Sequence, residues 1–192
     1  MIRSRMKGNK SIERQIEGLG KKAFFGHDKY LFLALHEALE SYKKGNFAVG
    51  AVIVDKNGSV LVKGNNRVFV PYHRSDRHAE MVVINDLEEK HAHEGLVIKA
   101  PLTLYSTLEP CPMCLSRFLS SKVDNFYYAV GDTGGGMVKN IDHLPYIWQD
   151  FRSGRVIEEI ECDPDIKDLC RRLFESSDER IAELGLWESD TY

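Results

Sequence analysis

The chain has 192 residues, of which 43% are hydrophobic and 29% are charged, a composition typical of a globular protein with one folded domain. Its 26 Lys and Arg residues and 29 Asp and Glu residues give a formal net charge of −3, so the overall basic field that draws many proteins to a phosphate backbone is absent. No apolar run is long enough to cross a bilayer, and residues 1–22 lack the apolar core of a signal peptide, which predicts a cytoplasmic location.

The distribution of charged and apolar residues predicts three segments. Residues 1–22 form a basic leader that is either flexible or partly helical, and residues 23–175 form the main domain. Residues 176–192 form an acidic C-terminal tail that has Leu186 and Trp187 near its end. Three roles remain open for this tail, namely capping the domain, packing on a partner subunit or closing over a pocket.

The first half of the main domain alternates between helical and extended patterns. Apolar residues at helical spacing predict a helix over residues 28–42, with Asp28 as its N-cap. The apolar, β-branched run at residues 47–54 predicts a strand, and the Asp-Lys-Asn-Gly turn after it predicts a hairpin into residues 59–65. An amphipathic pattern then predicts a helix over residues 78–89.

The second half continues this alternation. Its predicted elements are strands over residues 102–106, 126–130 and 156–160 and helices over residues 111–121 and 165–174. Pro112 suits an early position in its helix, because the N–H that proline lacks has no partner there. Alternating strands and helices predict a layered α/β sandwich.

Two short motifs stand at the starts of two of these helices. They read His78-Ala79-Glu80 and Pro110-Cys111-Pro112-Met113-Cys114. A catalytic zinc ion takes three protein ligands and leaves the fourth position to water, and His78, Cys111 and Cys114 would form such a set. Zinc lowers the pKa of its water to about 7, and Glu80 could then move protons without binding the metal.

Each motif alone has an ordinary explanation. A Cys-x-x-Cys can be a redox pair or half of a structural zinc site, and a His-x-Glu often arises by chance. The chain has no second Cys-x-x-Cys to complete a four-cysteine site, and Cys162 and Cys170 have no histidine near them in the sequence. Together, each ahead of a helical pattern, the motifs predict one zinc ion per chain, with both thiol pKa values lowered at the helix N-termini.

His-x-Glu followed by Pro-Cys-x-x-Cys is the recognised signature of zinc nucleobase deaminases. The chain resembles the cytidine and deoxycytidylate deaminase superfamily, and within it the bacterial tRNA adenosine deaminases and the small zinc guanine deaminases most. Residues 47–54 are similar to the first core strand of these families. Gly64-Asn65-Asn66 is similar to their Gly-x-Asn segment, which contributes a substrate-binding asparagine, and by this match Asn66 is the candidate.

The resemblance implies a three-layer α/β/α sandwich with a central mixed five-stranded sheet, as in cytidine deaminase. It also implies a zinc-dependent hydrolytic deaminase that releases ammonia from a nucleobase or nucleoside, that uses Glu80 as its catalytic residue and that forms a homodimer. The residues that it implies for substrate binding are Asn66, Ala79, Glu109 and Pro110.

The substrate is less well specified. Both groups of relatives typically have Asp-Pro-Thr-Ala before the His-Ala-Glu motif, whereas residues 72–77 read Tyr-His-Arg-Ser-Asp-Arg. We rank a small base or nucleoside such as guanine first, tRNA adenosine second and a cytosine compound third. An alternative of a different class is a non-catalytic zinc-binding module that interacts with RNA. Glu80 argues against this module, because a structural zinc does not need that carboxylate.

Three further features leave alternatives open. Residues 131–136 are glycine-rich and form either a flexible turn or a phosphate loop, and the missing Lys-Ser/Thr pair of a Walker motif favours the turn. The resemblance places residues 134–136 at the substrate entrance, where mobility would serve gating. The aromatic residues Tyr146, Trp148 and Phe151 could stack on a base or belong to the core. Finally, a basic group near the end of the chain is either a local phosphate clamp for tRNA or a solvated helix face, and it consists of Lys167, Arg171 and Arg172. The net charge of the chain disfavours tRNA as a substrate.

Overall fold

The computed structural model describes residues 2–95 and 101–186, and for residues 2–10 the backbone alone. The helices are α1 (Ile2–Leu19), α2 (Gly26–Lys44), α3 (Ala79–Glu94), α4 (Pro112–Leu119), α5 (Tyr146–Arg152) and α6 (Pro164–Glu183), with a 3-10 helix at Val138–His143. The strands are β1 (Gly50–Asp55), β2 (Val60–Asn65), β3 (Leu102–Leu108), β4 (Asn125–Val130) and β5 (Val156–Glu159). None of the described helices has the length and apolar character needed to cross a membrane.

The five strands form one mixed sheet in the order β2-β1-β3-β4-β5. β1 runs antiparallel to both β2 and β3, whereas β3, β4 and β5 run parallel to one another. A parallel pair needs a crossover connection, and α4 lies in the connection between β3 and β4. The prediction of a central mixed five-stranded sheet is confirmed.

Two glycines show that helices cover both faces of the sheet. A Cβ at Gly50 would lie 2.1 Å from the carbonyl oxygen of Ala34 in α2, whereas a Cβ at Gly64 would lie 3.0 Å from Val82 in α3. Gly64 pairs with Ala51, the residue after Gly50. Because successive strand residues point to opposite faces, α2 and α3 lie on opposite sides of the sheet.

Each of these helices has neighbours in its own layer. α6 packs on α2, and α4 packs on α3. The result is the predicted three-layer sandwich, with buried apolar side chains between the sheet and each helical layer. Both motif-bearing helices therefore belong to the same layer.

The last helix is longer than the predicted segment 165–174, because α6 continues to Glu183. Its inner face still packs beyond Phe174: Ser177 is buried, and its hydroxyl oxygen accepts a hydrogen bond from Ala48 N–H at 2.9 Å. Residues 176–183, predicted as the start of a tail, therefore belong to this helix. Residues 187–192 of the predicted tail lie outside the described residues.

Two helical segments between β4 and β5 were not predicted. They are α5 and the 3-10 helix. Within α5, Tyr146 and Phe151 belong neither to the core nor to the pocket lining, since Tyr146 is 78% exposed and Phe151 is 42% exposed. Trp148 packs against the edge of the core and contacts Phe151 edge to face, with ring centroids 5.7 Å apart.

Candidate metal centre and substrate pocket

The first two predicted ligands occupy equivalent positions at two neighbouring helix starts. His78 is the N-cap of α3 and Cys111 the N-cap of α4, both with extended backbone, and neither side chain caps its own helix. Cys114 follows within the first turn of α4. Because the cap positions are occupied by side chains that do not bind backbone N–H groups, these side chains are free to converge on a common point.

Arg117 connects α4 to α3 by hydrogen bonds. Its Nη2 donates a hydrogen bond to Asn85 Oδ1 at 3.0 Å, and its Nη1 donates to Glu88 Oε1 at 3.2 Å. Both acceptors lie on α3, whereas Arg117 lies on α4. This pair of contacts fixes the relative position of the helix starts that carry the motifs.

The distances from the histidine nitrogen to the two sulfur atoms match a tetrahedral zinc site. His78 Nδ1 lies 3.6 Å from Cys111 Sγ and 3.5 Å from Cys114 Sγ, and all three atoms lie within 4.8 Å of one another. Zinc–nitrogen bonds of about 2.05 Å and zinc–sulfur bonds of about 2.3 Å at tetrahedral angles give a nitrogen-to-sulfur separation of about 3.6 Å. The residues therefore fit a zinc ion, with Nδ1 as the ligand atom of the imidazole.

The two thiols differ in acidity. Hydrogen bonding from Cys114, assisted by His78, lowers the pKa of Cys111 to about 4. The hydrogen bond to Cys111, burial and the nearby Glu80 carboxylate raise the pKa of the Cys114 thiol. The prediction of two lowered pKa values is wrong for Cys114, because this thiol is buried and faces two negative groups.

Glu80 lies beside the donor atoms without belonging to the cluster. Its carboxylate is buried, and burial raises its pKa. Ser106 Oγ donates a hydrogen bond to Glu80 Oε1 at 3.0 Å, and Cys114 Sγ donates to Oε2 at 3.4 Å. One oxygen is therefore held by the sheet, while the other faces the donor cluster.

A pocket of about 460 Å³ opens beside these groups. It is lined by the three donor residues and by side chains from both halves of the chain. The lining residues are Phe47, Val49, Asn66, Val68, Ser75, His78, Glu80, Leu108, Glu109, Cys111, Cys114, Asp132, Gly134, Gly135, Phe174 and Asp178.

The residues predicted to bind substrate divide into two groups. Asn66 and Glu109 line the pocket, whereas Ala79 and Pro110 are buried and do not line it. Asn66 Oδ1 accepts a hydrogen bond from Val68 N–H at 3.0 Å, so its Nδ2 is the atom that we expect to donate to a ligand. The preceding Asn65 lies outside the lining and donates to Glu37 Oε2 at 2.7 Å.

Several lining residues were not identified from the sequence. Asp132, Phe174 and Asp178 lie far from the two motifs along the chain, and no local pattern distinguishes them from surface or core residues. Gly134 and Gly135 do line the pocket, where residues 134–136 were expected at a substrate entrance. Asp132 Oδ1 accepts hydrogen bonds from both of their N–H groups at 3.0 Å, which gives this turn a defined shape.

The chain is similar to deaminases of two kinds. It is 36% identical to the tRNA-specific adenosine deaminase of Bacillus subtilis (strain 168) over 107 residues, which are 56% of this chain and 63% of that protein. The chain thus matches less than two thirds of that relative's length. A structure from work on A-to-I editing by tRNA:A34 deaminases at the wobble position of transfer RNA matches with 26% identity and a TM-score of 0.57, over 69% of this chain and 97% of that one.

A guanine deaminase from Nitrosomonas europaea shares the fold. It matches with a TM-score of 0.58 and 18% identity, over 82% of this chain and 87% of that chain. The family model for the cytidine and deoxycytidylate deaminase zinc-binding region matches residues 26–130, more than half of the chain, including His78, Glu80 and both cysteines of the cluster. The chain therefore belongs to the cytidine and deoxycytidylate deaminase family, as its two motifs predicted.

Proposed function

We propose that this protein is a zinc-dependent hydrolytic deaminase that releases ammonia from an amino-bearing nucleobase. The observation that supports this most strongly is the position of Glu80, whose Oε2 faces a His-Cys-Cys donor set with tetrahedral zinc spacing. A zinc ion held by His78, Cys111 and Cys114 would supply Lewis-acid activation of a water molecule. A structural zinc has no use for a buried carboxylate at this place.

Glu80 would move the protons. Hydrolytic deamination forms a carbon–oxygen bond and breaks the carbon–nitrogen bond to the amine, so water must lose a proton while the ring nitrogen and the departing amine gain protons. Glu80 Oε2 faces the donor cluster, and Ser106 fixes Oε1, so Oε2 is the atom placed to take and return each proton. Burial raises the pKa of Glu80, which lets the carboxyl hold a proton closer to neutral pH.

The charge of the pocket favours a substrate without phosphate groups at the site. Four carboxylates line it, those of Glu80, Glu109, Asp132 and Asp178, and no lysine or arginine does so within the described part of the chain. Carboxylates accept hydrogen bonds from amino groups and repel phosphates. We therefore propose a small base or nucleoside, such as guanine, as the substrate.

Adenosine in tRNA is the second candidate, favoured by the 36% identity to a tRNA-specific adenosine deaminase. A flipped base could enter the pocket while its phosphates stay outside. The predicted phosphate clamp on α6 is largely occupied, however: Lys167 Nζ lies 2.6 Å from Glu159 Oε1, and Arg172 Nη1 lies 2.9 Å from Asp168 Oδ2. This pairing ranks tRNA below the small substrates.

An ammonia-release assay of the zinc-loaded protein tests both candidates. The panel comprises guanine, adenine, cytosine, their nucleosides and a tRNA with adenosine at the wobble position, with inosine formation and the salt dependence of tRNA binding measured in parallel. We expect release from at least one small substrate. Efficient inosine formation with salt-sensitive tRNA binding and no small-molecule activity would select the second candidate. No release from any substrate would instead support a non-catalytic module.

The homodimeric state and the cytoplasmic location stay predictions. Light scattering during size-exclusion chromatography measures the former directly, and a mass of one chain would contradict it.

A further inference from the structure

Glu109 has an unusual position for a glutamate, between β3 and α4 and 4% exposed. Both of its carboxylate oxygens accept backbone hydrogen bonds. Asp132 N–H donates to Oε2 and Val138 N–H donates to Oε1, each at 2.9 Å. One side chain therefore binds both ends of the segment 132–138, and hydrogen bonds to a charged acceptor are stronger than those between neutral groups.

The segment lies directly against this carboxylate. A Cβ at Gly136 would lie 2.3 Å from Glu109 Cδ and 2.5 Å from the carbonyl oxygen of Asp132, closer than any side chain could be placed without displacing its surroundings. The next residue, Met137, donates its N–H to the carbonyl oxygen of Pro110 at 3.0 Å. The middle of the segment is thus packed on the backbone and side chain of residues 109–110.

The same segment forms a wall of the substrate pocket. Asp132, Gly134 and Gly135 line the same cavity as Glu80 and the three donor residues. If the wall moved away, the pocket would open to solvent on this side, while the donor atoms on α3 and α4 would stay in place.

We propose that Glu109 is a positioning residue that holds the segment 132–138 as a wall of the substrate pocket. The inference rests on the proposed deaminase function and gives Glu109 an indirect role, where the resemblance implied direct substrate binding. If substrate binds only when the segment is held in place, its apparent affinity is the intrinsic affinity multiplied by the fraction of molecules in that state. Loss of the carboxylate therefore weakens substrate binding more than turnover.

The first test is Glu109→Gln, which keeps the shape of the side chain. Glutamine has one acceptor oxygen and one NH₂ group, so it can satisfy only one of the two backbone N–H donors. We expect KM to rise about tenfold with kcat within about threefold of wild type, as one charged hydrogen bond is lost. Zinc content stays at the wild-type value.

The second test leaves the carboxylate intact. Gly136→Ala forces a methyl group into the contact with Glu109 and displaces the segment, so it raises KM in the same direction. Because both variants act on one contact, the double variant shows less than the product of the two single effects. Asn140→Ala, an exposed change just beyond the segment and outside the pocket lining, is the control and keeps wild-type KM.

Hydrogen exchange provides a readout that does not depend on activity. At least one of the two amides of Asp132 and Val138 exchanges faster in Glu109→Gln than in wild type, whereas amides of the sheet do not change. Unchanged exchange at both amides, or a fall in kcat at wild-type KM, overturns the positioning role. A wild-type protein without deaminase activity but with faster exchange in the variant overturns the proposed function and leaves the structural role of Glu109 intact.

Discussion

Two buried glutamates line one pocket and differ in what holds them. Both oxygens of Glu109 are bound by backbone N–H groups, whereas Glu80 has one oxygen held by Ser106 and the other facing the donor cluster. A carboxylate with both oxygens bound by backbone N–H groups is suited to hold structure. A carboxylate with one oxygen directed at the site of chemistry is suited to move protons, so the partners of each side chain decide its role.

Glu80→Gln separates metal binding from catalysis. Because Glu80 is not among the three donors, the variant keeps about one zinc ion per chain, measured by inductively coupled plasma mass spectrometry. Deamination falls by about 10⁴-fold or more, at or beyond the upper end for one general acid or base, since the same group serves several proton transfers. Glu89→Gln, an exposed change on the same helix, is the control. Turnover near the wild-type rate in Glu80→Gln contradicts the proposed role.

Asn66→Ala tests substrate handling. Asn66 lines the pocket and Asn65 does not, although the two are neighbours in the chain. We expect Asn66→Ala to raise KM roughly 5- to 10-fold with unchanged zinc content, because one hydrogen bond to substrate is lost. Asn65→Ala is the matched control and affects stability through its contact with Glu37, not KM. A KM defect confined to Asn65→Ala would show that the assignment is shifted by one residue.

At the scale of elements, the packing of the sheet on its second helical layer depends on how closely β1 and α2 meet. Gly50 lets β1 approach α2 so closely that a Cβ would lie 2.1 Å from the carbonyl oxygen of Ala34 and 2.5 Å from the backbone nitrogen of Ala38. A helix backbone cannot yield as a flexible side chain does. Gly50 is therefore required because a side chain would not fit against α2, and not because of its backbone angles.

Gly50→Ala should lower the free energy of unfolding by roughly 3 kcal/mol, the upper part of the range for overpacked cores. Urea denaturation measures this loss directly. Gly18→Ala in α1 is the control, since a Cβ there meets nothing within 4 Å and alanine favours a helix. Equal stability of Gly50→Ala and wild type would mean that β1 and α2 can separate without cost.

For the molecule as a whole, metal removal tests the proposed centre. Purified protein should contain about one zinc ion per chain, and His78→Ala or Cys111→Ala should lose most of it, because three ligands hold the ion. A chelator should lower the melting temperature of wild type and have little effect on these variants. Cys162→Ala, which removes a half-buried thiol outside the cluster, should keep its zinc. Full zinc occupancy in both ligand variants would contradict the donor set.

The elements that could be predicted are those with a strong local pattern. The five strands and the two helices that carry the motifs begin and end within a few residues of the bounds predicted from hydrophobic spacing and from the turn at Asp55. The errors lie where tertiary contacts decide the outcome. α6 continues past Phe174 because Ser177 binds the backbone of Ala48 and Ile181 is buried, although residues 175–180 have no apolar periodicity.

The sequence by itself predicted the candidate donor set, because these residues lie in two short motifs whose residue types and helix-start positions are local properties. The alternation of strands and helices predicted the layered α/β fold class. Only the tertiary structure decided which residues complete the pocket. Asp132 follows β4, and Phe174 and Asp178 lie on α6 in the other helical layer, so they line the pocket only once the sheet order and the packing of both layers are in place. Such long-range contacts depend on the whole chain, and for that reason the candidate donor set could be predicted from the motifs, whereas Asp132, Phe174 and Asp178 in the pocket lining could not.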